Sequence, residues 1–299
     1  MNAPLISVIV PTFNRAAYLG AAVQSALGQV GIDALEVVVV DDCSTDDTAS
    51  IVAQFSGDKV RFVRHEVNRG GGAARNTGIE EARGRYVAFL DSDDQWHPEK
   101  LMKQLAALDR STCPEETLCY TQVRALSSHG TEILPRRAKR AEESVGTYLF
   151  TNAGHIQTST ILLSRELAMR TRFDPQLRRH QDYDFCLRAD RLGADFVLVD
   201  QPLVTWRHDN RGDRISKSVG VEVSEAFLDS RREQLGDAAA AAFWVRQIFP
   251  RKIRSSPVAS LRELTRGVVK GVLPMRWYFD WVGGVVRRRL HLIRSEGGV

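Results

Sequence analysis

Three carboxylates fall within four residues in Phe89-Leu-Asp-Ser-Asp-Asp-Gln-Trp96, directly after an apolar run. Crowding Asp91, Asp93 and Asp94 at the end of a buried strand is electrostatically costly unless a cation or a tight hydrogen-bond network compensates them. Mg²⁺ or Mn²⁺ is the simple solution, because it takes one or two carboxylates and completes its shell with phosphate oxygens such as those of a nucleoside diphosphate. The same residues also read as a helix N-cap cluster ahead of Pro98. A second acidic stretch, Val40-Asp-Asp-Cys-Ser-Thr-Asp-Asp47, ends another apolar run. Asp42 stands just past that run, where a carboxylate can accept from a base N–H or from ribose hydroxyls, whereas Asp46 and Asp47, with Ser44 or Thr45, read as capping residues of the next helix. Pro11-Thr-Phe-Asn-Arg15 closes the first apolar run with an aromatic that can stack on a base. Gly70-Gly-Gly-Ala-Ala-Arg-Asn76 joins a permissive backbone to a helix start, which can approach phosphates closely but equally reads as a plain loop. A G-x-x-x-x-G-K-S/T segment is absent, as is G-x-G-x-x-G after the first strand, which disfavours an ATPase or a dinucleotide dehydrogenase.

These clusters need elements to hold them. The pattern predicts strands over Leu5–Val10, Leu35–Val40, Val60–Val63 and Arg85–Leu90, alternating with helices over Ala16–Gly28, Asp46–Phe55 and Gly72–Ala82. That alternation is an α/β arrangement, a parallel sheet with crossover helices. In such sheets ligands sit outside the carboxyl ends of the strands, and three of those ends carry Pro11, Asp41 and Asp91. Beyond Pro98 a helix is expected to about Leu108, strands over Leu118–Ala125 and Ser159–Leu163, and a charged helix from Asp182 to Leu192. Residues 127–147 are polar and basic and read as loop.

A chain of 299 residues suits one large α/β domain with an appendage. At 43% hydrophobic and 26% charged it is not collagen-like, low-complexity or wholly disordered. Cys43, Cys113, Cys119 and Cys186 form no C-x-x-C pair, so neither a zinc knuckle nor a disulfide framework is expected, and a reducing compartment fits. The first residues lack the pattern of a signal peptide and no run approaches the ~20 apolar residues that cross a bilayer, so a cytoplasmic location is expected. The net charge of +4 is unevenly spread: residues 246–299 hold 12 Lys and Arg against 3 Asp and Glu, and the remainder holds 29 against 34. An acidic body with a basic tail tells against a nucleic-acid-binding domain.

Taken in order and spacing, the four segments resemble the donor-binding half of inverting family 2 glycosyltransferases of the GT-A fold, over about residues 5–210. The resemblance implies a Rossmann-like, mostly parallel sheet flanked by helices. It divides the chain into a nucleotide-sugar-binding half (1–110), an acceptor and catalytic half (111–220) and a helical, basic C-terminal extension (221–299). It implies that Pro11, Thr12, Phe13, Arg15, Asp42, Gly72, Arg75, Asp91 and Ser92 bind the nucleotide sugar, a UDP-sugar above all. Asp93 is implied to ligate Mn²⁺ or Mg²⁺, joined by His208 of Trp206-Arg-His-Asp-Asn-Arg-Gly-Asp-Arg-Ile-Ser216. His180-Gln-Asp-Tyr-Asp-Phe-Cys-Leu-Arg188 resembles the family's Glu-Asp-x-Asp segment and places Asp182 at its general base, with Gln181 departing from the commoner Glu. No Q-x-x-R-W segment is present, which implies non-processive transfer to a glycan or lipid-linked saccharide.

In the tail, Ser256-Pro257 precedes Arg262, Arg266 and Lys270 at helical spacing beside Leu261, Leu264, Val268 and Val272. Arg276-Trp-Tyr-Phe-Asp-Trp281 and Arg287, Arg288 and Arg289 follow, a composition suited either to an anionic membrane surface at the cytoplasmic face or to helices packing their aromatics on the domain. Residues Asn152 to Thr160 are expected on the acceptor side. Two rivals stay open at this point: a metal-dependent phosphatase of the aspartyl-phosphate type, and a nucleotide- or sugar-binding module without catalysis.

Overall fold

The computed structural model describes residues 4–207 and 220–273, apart from Ser56, Asp58, His129 and Val272. Strands β1 (Ile6–Thr12) and β2 (Leu35–Asp41) are buried along their whole length, as β-branched runs without polar alternation require. They pair in parallel, Pro11 opposite Val40 and Thr12 opposite Asp41, so both end at the same edge. β3 (Val60–Arg64) and β4 (Tyr86–Phe89) flank them, also parallel. The crossovers are α1 (Ala16–Leu27), α2 (Thr48–Ala53) and α3 (Gly71–Glu81). Then come β5 (Gln95–Trp96), α4 (Lys100–Leu108), β6 (Thr117–Ser127), β7 (Gly130–Leu134), β8 (Leu162–Ser164), α5 (Arg165–Thr171), α6 (Gln181–Arg191) and β9 (Asp195–Arg207). The sheet order is β3-β2-β1-β4-β8-β6-β9-β5, with β7 beside β6. β8 enters antiparallel between β4 and β6, while β6 and β9 run parallel. This is the expected α/β architecture, its parallel block carrying the strand ends singled out above.

Two packing features fix the geometry around those ends. α3 lies directly on β1: a Cβ on Gly78 would stand 2.3 Å from Ile9 Cγ2, so only glycine lets helix and strand approach so closely. An aromatic cluster joins β4 to α6, with Phe89 edge-on to Phe173 and Phe185 at 5.1 and 5.5 Å between centroids, and Phe173 stacked on Phe185 at 4.3 Å. These rings hold the start of α6 near the end of β4.

Some local expectations are corrected. Residues 127–147 are not all loop, because Gly130–Leu134 pairs with β6 as β7, an exposed edge hairpin whose polar residues masked its strand character. The strand expected over Ser159–Leu163 starts later, at Leu162, and Thr158–Thr160 forms a 3₁₀ turn. Asp47 precedes α2 without a side-chain cap, whereas Asp46 accepts from the Thr48 N–H at 3.2 Å and from the Ala16 N–H of α1 at 3.0 Å.

The chain divides into two units, Met1–Val223 and Ser224–Val299. Helix α7 (Val221–Phe243) kinks at Gly236, whose φ of 71° lies in the left-handed region. A π-helical turn over Trp244–Ile248, α8 (Phe249–Ser255) and α9 (Pro257–Val269) follow. On α9 Leu264 is buried while Arg262, Arg266 and, just beyond, Lys270 are exposed. Arg276–Trp281 and Arg287–Arg289 lie outside the described residues. Among the described residues no helix is long and apolar enough to cross a membrane.

Candidate active site

The parallel register brings Thr12 and Asp41 level, and the loops that follow are laced together. The Asn14 N–H donates to Ser44 Oγ at 2.9 Å, and the Thr45 N–H returns a bond to Asn14 Oδ1 at 2.8 Å. Pro11 and Thr12 are buried beneath this lacing, Arg15 is half-buried at the start of α1, and the Phe13 ring is 37% exposed, an aromatic face open to a ligand.

Asp42 is buried, and its carboxylate organises the neighbouring turn. It accepts from the Arg69 N–H at 2.8 Å and the Gly70 N–H at 2.7 Å, and lies 2.7 Å from His65 Nδ1. His65 Nε2 lies 3.0 Å from Thr77 Oγ1 on α3, so the imidazole bridges the second strand end to the third helix. Gly70 has φ 87°, a backbone angle that favours glycine. Gly72 is packed so tightly that a Cβ would be 2.9 Å from the Asp174 carbonyl.

One turn into α3, Arg75 reaches both remaining segments. Its Nη2 donates to Asp91 Oδ1 at 2.5 Å and its Nη1 to Gln181 Oε1 at 2.6 Å, while Nε is buried without a partner. The guanidinium carbon sits 5.3 Å from the centroid of the Phe173 ring. Gln181 therefore does here what a Glu could do as an acceptor, but without adding a charge. That leaves Asp91 as the one carboxylate paired with Arg75 among the described residues.

After β4 the chain turns sharply: the Asp94 N–H donates to the Asp91 carbonyl at 3.0 Å. Ser92 is buried, Asp91 and Asp93 are partly exposed, and Asp94 points inward. The Asp94 carboxyl accepts from Gln157 Nε2 and from Ser159 Oγ at 2.6 Å. Burial, and then the nearby Asp91 and Asp93, push the Asp94 carboxyl well above the usual carboxylate range. Ser159 Oγ also accepts from the Asp91 N–H at 3.0 Å, so the 3₁₀ turn braces the acidic loop from below.

Asp182 lies in the first turn of α6, next to His180, whose φ of 65° marks the tight entry into the helix. The Asp182 Oδ1 accepts from the Tyr183 N–H at 2.9 Å. Burial pushes its carboxyl up to about 6, the Asp91 charge adds to this, and Arg75 opposes it. A carboxylate that titrates near neutrality beside a second, cation-paired carboxylate is equipped to accept a proton. His208 lies outside the described residues.

The donor set suits a hard divalent cation. Asp91 and Asp93 offer oxygens only, their repulsion is felt at Asp94, and Arg75 pairs with Asp91. Among the described residues no group of three or more His, Cys, Asp or Glu forms a complete cage. A magnesium-type site does not need one, since one or two carboxylates plus substrate phosphates suffice.

Residues 7–170 match the family model described as glycosyl transferase family 2. The chain belongs to glycosyltransferase family 2. The match sets aside the phosphatase and binding-module readings. This glycosyltransferase is 36% identical over 236 residues to the amylovoran biosynthesis glycosyltransferase AmsB of Erwinia amylovora, covering 77% of this chain and 78% of that one. It is 35% identical over 206 residues to the putative teichuronic acid biosynthesis glycosyltransferase TuaG of Bacillus subtilis, covering 68% and 79%. Its fold is similar to that of S. aureus TarS 1–349 in complex with UDP-GlcNAc, with a TM-score of 0.66 at 21% identity, covering 91% of this chain and 82% of that one.

Motif reading of this glycosyltransferase missed His65, and it placed Gln157 and Ser159, within Asn152–Thr160, on the acceptor side without their link to the acidic loop. His65 follows the end of β3, so the rule that flagged the other strand ends would have found it. The contacts of Ser159 and Gln157 with that loop had no local signal, because their partners lie 68, 65 and 63 residues away.

Proposed function

We propose that the protein transfers a sugar, with inversion, from a nucleoside-diphosphate sugar to a hydroxyl of a glycan or lipid-linked saccharide, in a metal-dependent and non-processive reaction. The observation that carries this reading is the convergence on Arg75 of the acidic loop and the start of α6, which sets Asp182, titrating at about 6, beside Asp91. The relatives' names in amylovoran and teichuronic acid biosynthesis support an acceptor that belongs to a surface polysaccharide. UDP-GlcNAc in the TarS complex, and UDP, GalNAc and Mn²⁺ in GalNAc-T7, which shares the fold at a TM-score of 0.55, support a UDP-sugar donor and a divalent cation.

In this reading the nucleoside lies across the ends of β1 and β2, with Phe13 against the base and Pro11, Thr12, Arg15 and Asp42 around it. Asp93, with Asp91 beside it, would hold Mn²⁺ or Mg²⁺, and the cation would neutralise charge on the diphosphate. Arg75 holds Asp91 in place and adds positive charge on the same side, with Ser92 and the Gly72 backbone completing that wall. Asp182 takes the proton from the acceptor hydroxyl as that oxygen attacks the anomeric carbon. The bond from that carbon to the diphosphate oxygen breaks, inverting the centre, and the proton remains on Asp182. The basic residues 246–299 dock on anionic lipid at the cytoplasmic face, bringing the active site to a lipid-linked acceptor.

Release of nucleoside diphosphate from UDP-, GDP- and dTDP-sugars, with and without Mn²⁺, tests the reading. Metal-dependent release from one nucleotide class is expected. Equal release without metal would overturn the metal assignment.

A further inference from the structure

Lys100, at the start of α4, is fully buried and forms no ion pair among the described residues. A buried ammonium without a carboxylate is costly, and burial pushes this one down to about 7. Two groups receive it. Its Nζ donates to Gln104 Oε1 at 2.6 Å, one turn along the same helix, and it sits 4.0 Å from the centroid of the Trp96 ring.

Both partners lead to the same turn. Gln104 Nε2 donates to the Cys119 carbonyl at 3.1 Å and the Thr160 carbonyl at 2.9 Å. Trp96 Nε1 donates to the Ser159 carbonyl at 2.9 Å. Consecutive carbonyls of the 3₁₀ turn are thus held by the two side chains that Lys100 touches. From that turn the Ser159 hydroxyl accepts the Asp91 N–H and donates to Asp94.

We propose that Lys100 is a positioning residue for the acidic loop, orienting the Gln104 amide and the Trp96 indole so that the Thr158–Thr160 turn presents Ser159 to Asp91. The ammonium supplies what an apolar side chain could not. An amide is nearly symmetric in shape; the two carbonyls at Nε2 favour one orientation, and the ammonium at Oε1 reinforces it by giving that oxygen its donor. Flipped, Gln104 would set N–H against ammonium and oxygen against two carbonyls. The link from Lys100 to Asp91 stands on these contacts alone, and its consequence for metal binding rests on the function proposed above.

The full-length Lys100→Met variant, which keeps length and apolar bulk, separates positioning from mere support. Because Lys100 is held below its unfolded value, its burial weakens the fold most at and below about pH 7 and less as pH rises toward its ordinary value near 10.5. K100M is therefore expected to melt at or above wild type at pH 6, with a smaller difference at pH 9. Hydrogen exchange of the Asp91 amide in the metal-free protein is nonetheless expected to speed up at least tenfold, and half-maximal Mn²⁺ for UDP binding to rise at least tenfold. Gln104→Glu, which keeps the acceptor for Lys100 but removes both donors to the turn, should reproduce the faster exchange. Adding it to K100M should give no further change. Unchanged Asp91 exchange in two folded single variants would overturn the proposal. Wild type that binds no nucleoside diphosphate with Mn²⁺ would instead count against the donor reading, while the exchange data still decide the role of Lys100.

Discussion

Asp182 carries the heaviest chemical demand of any single side chain, and its surroundings give it measurable signatures. With the carboxyl raised to about 6, turnover should fall roughly tenfold per pH unit below that value, because only the ionised form takes a proton. Asp182→Asn should retain nucleotide and Mn²⁺ binding while turnover drops on the order of 10²–10⁴-fold, and unchanged turnover would remove Asp182 as the base. A carboxyl whose folded-state value exceeds its unfolded value favours folding when protonated. That contribution is complete below about 3.8 and is lost as pH rises through about 6, so Asp182→Asn should also melt higher than wild type at pH 7.5 and equally at pH 3.5. Gln181 offers a second handle. Since its amide oxygen accepts from Arg75, Gln181→Glu adds a negative charge beside Asp182 and should move the acid limb of the pH profile upward; a downward move would contradict the electrostatic picture. At this scale, position just past a strand end singles out Asp42, Asp91 and Asp93 as candidates, whereas Asp182 is singled out only through the family resemblance of its segment. Neither signal could show that Arg75 joins Asp91 to Gln181, a contact spanning 106 residues on the Gln181 side.

At the scale of elements, the site depends on how closely α3 approaches β1. Gly78→Ala would drive a Cβ to 2.3 Å from Ile9 and should destabilise the protein by about 1–3 kcal/mol, read as a lower urea midpoint. Because Arg75 rides on the same helix, nucleotide affinity should weaken together with stability, and a variant with an unchanged midpoint would contradict the packing argument. The parallel block was legible because β1, β2 and β4 are short, wholly buried and apolar. β9 was not: Asp200, Gln201 and Pro202 interrupt its pattern, and its register with β6 slips between Thr121 and Val123. β5 has two residues, too few for any periodicity, yet it places Trp96 over Lys100. Elements built by long-range pairing leave weak local traces: β5, β7 and β9 went unread, whereas β6 was legible over Leu118–Ala125.

For the whole molecule the uneven charge is the dominant fact, an acidic body followed by residues 246–299 with 12 basic and 3 acidic side chains. If that segment docks on anionic lipid, full-length protein with Arg287, Arg288 and Arg289 changed to Glu should lose co-sedimentation with phosphatidylserine vesicles at low salt. Undiminished binding would remove those arginines as the anchor. The donor chemistry can be tested before any acceptor is known, because a ligand that binds only the folded state raises its melting temperature by mass action. The most direct measurement is thermal unfolding of wild type with UDP, GDP, dTDP or CMP, each with and without Mn²⁺. A rise with UDP that requires Mn²⁺, and that disappears in Asp93→Ala, is the expected result. Failure of every nucleotide to raise the melting temperature in a metal-dependent way would contradict metal-dependent donor binding at Asp91 and Asp93.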